Sequence, residues 1–237
     1  MSDIFQAVSR RSPLSEPRLD VTVIDAPLLF PRPDPEQAAE FEKLVTRILE
    51  FKNSPDGYAL AFASNVAGEG TSFVSYNVAR LLSTSFDRRT IWVDANFLSP
   101  HPRLASTDGP TLASYLMSPE RVPVTGAGER LGLLPGGANL PTMRPELASG
   151  RGRQVLDALR ADHEFVVVDC PPILDAVETS WLGTAADGMI VVVEARRLKS
   201  QVISHALESL ARQQVNVVGT VLNRRRFTLP RVVYERL

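Results

Sequence analysis

The chain has 237 residues, 44% of them hydrophobic and 22% charged, with a formal net charge of −1. That length buries a sizeable core in one α/β domain with chain to spare, and the near-neutral balance excludes a general nucleic-acid binder, which would carry a basic excess. The single cysteine, Cys170, excludes an internal disulfide framework, and no segment has the unbroken apolar length of a membrane span.

Residues 1–35 hold six of the 18 prolines and show little periodicity around one apolar patch, Leu28-Leu29-Phe30. This stretch is expected to be a flexible, extended arm. Met1 to Leu19 is polar and lacks the apolar core of a secretory signal, so the expected location is cytoplasmic. Asp34 is the natural N-cap of a helix over Pro35–Phe51, with Phe41, Leu44, Val45, Ile48 and Leu49 on one face. Asn53-Ser54-Pro55-Asp56-Gly57 ends it.

Strand and helix patterns then alternate. Strands are expected at Tyr58–Ala63, Thr90–Asp94, Leu131–Leu134, Phe165–Asp169, Met189–Val193 and Val215–Leu222, and helices at Ser72–Ser83, Arg151–Ala161, Ser180–Ala186 and Lys199–Gln213. Val166-Val167-Val168 and Ile190-Val191-Val192-Val193 are apolar on both faces, as central parallel strands covered by helices must be. The expected fold is α/β, a doubly wound, mostly parallel sheet with helices on both faces, like a P-loop NTPase. It occupies 36–223, and a short basic tail follows over 224–237. Ligands of such a fold sit at the carboxyl ends of the strands.

Three strand-end loops carry the candidate chemistry. Ser64-Asn65-Val66-Ala67-Gly68-Glu69-Gly70-Thr71-Ser72 joins a strand to a helix, as a phosphate-binding loop does. Ser72 stands at the magnesium position, but Thr71 stands where the lysine belongs. Lys43, Lys52 and Lys199 are the only lysines, so none lies close in sequence to replace it. The other two loops begin at Asp94 and at Asp169-Cys170-Pro171-Pro172, and an aspartate closing an apolar strand beside a phosphate loop is suited to magnesium. The plainer alternatives are strand-end aspartates that cap turns, a turn-forming Asn223 and a buried, inert Cys170. Arg224-Arg225-Arg226 reads as a solvated basic patch, with a membrane surface or an acidic partner as the alternative. His101, His163 and His205 lack metal-ligand spacing.

Across about 36–223 the chain resembles the bacterial tyrosine kinases of capsule and exopolysaccharide synthesis, a branch of the group that includes the cell-division and partition ATPases. The resemblance rests on Ser64, Gly68, Glu69, Gly70 and Ser72 of the first loop, and on Asp94, Ala95 and Pro100 of the second. Asp169, Pro171 and Pro172, the Leu134-Pro135-Gly136-Gly137 and Arg144-Pro145-Glu146-Leu147 segments, and the closing Gly219-Thr220-Val221-Leu222-Asn223 complete it. It implies ATP or ADP with Mg2+ as cofactors, Gly68, Glu69, Gly70, Thr71, Ser72 and Asn223 around the nucleotide, Ser72, Asp94 and Asp169 at the metal, and Asp94 and Asp169 as catalytic groups in an active member. It also implies a membrane-embedded polysaccharide chain-length determinant or co-polymerase as partner, further copies of the chain as another, and placement at the inner face of the plasma membrane.

The departures fall on function. Thr71 replaces lysine, Asn96 replaces the second acid of the second loop, and Leu98 stands where the family has arginine. The arginine pattern of the first helix is largely gone from Glu40–Ile48, and beyond Asn223 the only tyrosine is Tyr234. The expectation is therefore a degenerate, tyrosine-kinase-like regulator of polysaccharide polymerisation and export, with weak or absent ATP-dependent activity. The alternative is an active tyrosine autokinase or partition-type ATPase.

Overall fold

A computed structural model describes residues 29–52, 56–104, 109–118, 125–127, 131–137 and 140–224. Seven strands form one sheet in the order β3-β4-β2-β5-β1-β6-β7. They are β1 (Tyr58–Ser64), β2 (Thr90–Asp94), β3 (Thr125–Ala127), β4 (Leu131–Leu134), β5 (Phe165–Asp169), β6 (Gly188–Glu194) and β7 (Val217–Asn223). All adjacent pairs are parallel except β3 with β4, which is antiparallel. The expected doubly wound, mostly parallel α/β sheet is present.

The helices are α1 (Pro35–Phe51), α2 (Thr71–Thr84), α3 (Leu112–Met117), α4 (Leu140–Ala148), α5 (Arg151–Asp162), α6 (Glu178–Ala185) and α7 (Ser200–Arg212). Side-chain alternation divides the core in two. Ala59, Ala61 and Ala63 of β1 join Val166, Val168, Val191 and Val193 beneath α3, α5 and α6. Leu60 and Phe62 point the other way, with Trp92, Val167, Ile190 and Val192, beneath α1 and α2. Both faces of the central strands are covered, which is why their sequences are unbroken apolar runs.

α1 has the expected bounds. Asp34 caps it by accepting from the Gln37 N–H at 2.9 Å, and the Gln37 side chain accepts in return from the Asp34 N–H at 3.3 Å. Phe41, Val45 and Ile48 are its buried stripe. At the end of the proline-rich arm Leu29 is buried and Phe30 packs edge-on to Phe73 and His101. The remainder of the arm (1–28) and the tail beyond Arg224, including Tyr234, lie outside the described residues.

Three differences have local causes. β7 begins at Val217, not Val215: Gln214 takes a left-handed φ of 59° and the Val215 N–H bonds back to Leu210, so these residues finish α7. α6 begins at Glu178, two residues ahead of expectation. The stretch 98–150 holds α3, β3 and α4, none of which has a clear pattern in sequence. α3 is six residues long and capped by Thr111, while α4 contains Pro145.

Candidate functional site

The carboxyl ends of β1, β2, β5 and β7 open on a cleft of about 1870 Å³. The loop between β1 and α2 forms one wall. Gly68 and Gly70 take left-handed φ values of 84° and 94°, a conformation that L side chains resist. At Gly70 a Cβ would also run into the Asn223 amide nitrogen. From Ala67 to Ser72 no backbone N–H donates to another described residue, and Thr71 opens α2 with a Gly70 N-cap that has no side-chain bond. Free amides converging at a helix N-terminus are what an anion needs.

Glu69 explains how the loop keeps this shape. Its buried carboxylate turns into the protein, where Oε2 accepts from the N–H groups of Asn65 (2.8 Å) and Val66 (3.1 Å) and Oε1 from that of Glu194 (3.0 Å). Its side chain braces the loop from within. The Asn223 amide is engaged too, since Nδ2 donates to the Glu69 carbonyl at 2.8 Å and Oδ1 accepts from the Arg224 N–H at 2.9 Å. Of the residues assigned to a nucleotide from sequence, Gly68, Gly70, Thr71, Ser72 and Asn223 line the cleft.

β2 and β5 are neighbours in register, which sets Asp94 opposite Asp169. Each is 1% exposed. Asp94 accepts from the backbone N–H of Asn96 (3.2 Å) and His101 (2.8 Å). Burial nevertheless pushes its carboxyl up to about 6, with those two N–H groups only moderating the shift. Asp169 is raised well above the usual carboxylate range by burial first and by the charge of Asp94 second, against hydrogen bonds from Ser72 and Ser75. Thr71 Oγ1, Asn96 Oδ1 and Asp169 Oδ1 are buried with no hydrogen-bond partner among the described residues.

Two buried acids, a serine beside them and unpartnered oxygens form a donor set of hard ligands that fits Mg2+. Ser72, Asp94 and Asp169 would hold the ion, directly or through water, with the loop amides on the phosphates. Ser72, Asp94 and Asp169 are thus brought together as the sequence leads one to expect. Leu98, where the family has arginine, is exposed on the rim. Among the described residues no three His, Cys, Asp or Glu side chains gather as a metal group.

Sequence reasoning could not place the cations of the site. Arg197 Nη2 donates to the Ala67 carbonyl at 2.7 Å, and Arg224 Nη1 to the Gly68 carbonyl at 2.9 Å. Arg224 belongs to the basic run noted in sequence, but the 156 residues between it and Gly68 hide the contact. Arg197 carried no signal at all.

No family model matches the chain. It is 29% identical over 176 residues to the succinoglycan biosynthesis transport protein ExoP of Rhizobium meliloti, an alignment covering 70% of this chain and 22% of ExoP. It is 25% identical over 170 residues to the tyrosine-protein kinase YwqD of Bacillus subtilis, covering 70% of this chain and 71% of YwqD. The kinase domain of the Escherichia coli tyrosine kinase ETK superposes with a TM-score of 0.72 at 20% identity, covering 81% of this chain and 78% of that one. The septum site-determining protein MinD of Pyrococcus horikoshii, solved with Mg-ADP, superposes with a TM-score of 0.58 at 17% identity, covering 76% of each. The chain is similar in sequence to bacterial tyrosine-protein kinases, and it has the fold that kinase domains of that kind share with MinD.

Proposed function

We propose that the chain is a degenerate, tyrosine-kinase-like regulator of exopolysaccharide or capsule synthesis that holds a magnesium nucleotide weakly and transfers phosphate feebly or not at all. One observation carries this reading. The loop keeps its receptor geometry, with Gly68 and Gly70 left-handed and Asp94 beside Asp169, while Thr71 brings to it a buried hydroxyl without charge. A hydrogen bond to a charged group contributes about 1.5–3 kcal/mol, so the missing lysine weakens nucleotide binding by about ten- to a hundredfold. Phosphoryl transfer suffers more, because its catalysis is chiefly electrostatic stabilisation of the transferring group. Bound magnesium would supply that stabilisation in part. Ser72, Asp94 and Asp169 hold the ion's place, and the loop amides orient the phosphates. The regulated partner is a membrane-embedded chain-length determinant or co-polymerase, which draws the chain to the inner face of the plasma membrane. In keeping with this, no helix among the described residues is long and apolar enough to cross a membrane itself.

The intact arrangement of Ser72, Asp94 and Asp169 favours a second reading, an active tyrosine autokinase or partition-type ATPase. Calorimetric titration of the parent chain and of Thr71→Lys with Mg-ADP and Mg-ATP, beside a phosphorylation assay, separates the two. The first reading expects weak binding by the parent and tighter binding by the variant. Absence of binding at millimolar nucleotide overturns the nucleotide part of the proposal. Phosphate incorporated from ATP into tyrosine of the parent establishes the second reading.

A further inference from the structure

Three consecutive loop carbonyls are held by groups that lie far away in sequence, two of which, Asn223 and Arg224, also line the cleft. Arg197 takes Ala67, Arg224 takes Gly68 and Asn223 takes Glu69. The two guanidinium groups meet on one carboxylate: Glu194 Oε2, at the end of β6, accepts from Arg197 Nη1 at 3.0 Å and from Arg224 Nη1 at 3.1 Å. Burial alone would raise the Glu194 carboxyl, but the two arginines outweigh it and hold the group below its ordinary range. Arg224 itself, and Arg196 beside Arg197, are held at left-handed φ values of 54° and 64°, an arrangement that persists only where the surroundings enforce it.

The direction of these bonds matters more than their number. In a trans peptide the carbonyl of one residue and the N–H of the next lie in one rigid plane and point in opposite directions. Fixing the carbonyls of Ala67, Gly68 and Glu69 on these side chains therefore also fixes the N–H groups of Gly68, Glu69 and Gly70, which point the opposite way. These are amides that donate to no described residue. Guanidinium groups suit the task, because one planar fork serves a carbonyl and a carboxylate together.

We propose that Arg197 and Arg224, joined through Glu194, are positioning residues that fix the loop so that its backbone alone receives the pyrophosphoryl group of a nucleoside diphosphate. The inference rests on the reading above that this loop takes a nucleotide. The diphosphate follows from the division of labour in such loops, where the backbone cradles the α- and β-phosphates while lysine reaches to the β- and γ-phosphates. With Thr71 in the lysine's place, a triphosphate loses a contact that a diphosphate needs less.

The test uses the full chain and the variants Arg197→Gln, Arg224→Gln, the double variant and Arg224→Lys. Mg-ADP and Mg-ATP are titrated by calorimetry, and hydrogen exchange is followed at the Asn65, Val66 and Glu194 amides that Glu69 holds. Loss of two charge-assisted bonds weakens Mg-ADP binding by about tenfold or more in the double variant, and Arg224→Lys, which keeps one charged donor, restores most of it. Exchange at the three amides quickens in the double variant without ligand. Mg-ADP affinity that is unchanged in the double variant overturns the proposal, as does a parent that binds Mg-ATP tighter than Mg-ADP. If the parent binds neither nucleotide, the reading above fails by itself. The brace is then judged by exchange alone, and unaltered protection at all three amides refutes it.

Discussion

Thr71 and the two aspartates behind it meet the same physical problem from opposite sides, since no cation stands among the described groups that set the ionisation of Asp94 and Asp169. The folded pKa of Asp94, about 6, lies above its unfolded value of 3.8. Between those values the unfolded chain releases a proton that the folded chain retains, so stability present below pH 4 declines as pH rises to about 6. At about 1.4 kcal/mol per unit, Asp94 accounts for a decline of about 3 kcal/mol, and the raised Asp169 adds to it in the same direction. Urea unfolding in metal-free buffer at pH 4 and pH 7.5 measures it. Asp169→Asn raises the melting temperature at pH 8, leaves it unchanged at pH 4 and abolishes stabilisation by Mg2+. Thr71→Lys also stabilises at pH 8, because its ammonium offsets part of the charge of the pair.

At the scale of the element, the phosphate loop is a turn whose stability comes from partners elsewhere in the chain. Glu69→Gln replaces a carboxylate that accepts three backbone N–H groups by an amide that turns a donor toward at least one of them. The expected destabilisation is about 2–4 kcal/mol by denaturant unfolding. Gly70→Ala forces a Cβ onto a left-handed residue and against Asn223, for a loss of about 1–3 kcal/mol together with weaker nucleotide binding. The loop's outline was legible in sequence because strand, glycines and helix follow one another within 15 residues or so. Its bracing was not legible, because Glu194, Arg197 and Arg224 reach it only through the folding of β6 and β7. For the same reason Glu69 was grouped with the nucleotide contacts, although its carboxylate serves the loop. α3 and α4 escaped notice because six residues are too few to show a helical period, and a proline inside a helix reads as a break.

For the whole molecule, the central strands β1, β2, β5 and β6 were readable because burial on both faces leaves them mostly apolar, whereas β3, three residues at the sheet's edge, left no such trace. Parallel order also places every functional loop at one end of the sheet, so occupancy of the cleft is felt by the entire fold. Ligand that binds only the folded chain stabilises it by about 2.7 kcal/mol at a hundred times its dissociation constant. For a domain of this size that is a rise of roughly 5–10 °C in melting temperature. Thermal unfolding across a Mg-ADP series should show this rise, and a flat response would indicate that the cleft does not take the nucleotide.

Cys170 gives the site its own label. As the sole thiol of the sequence it lies 1% exposed at the turn after β5, with a backbone N–H bond to Phe62 at 2.8 Å, and burial followed by the neighbouring Asp169 keeps it protonated. A thiol in that state is inert toward alkylating reagents while the turn is closed. The rate at which a maleimide reacts with it is therefore a clock for opening of the cleft floor, free of interference from any other cysteine and readable in the unmodified chain.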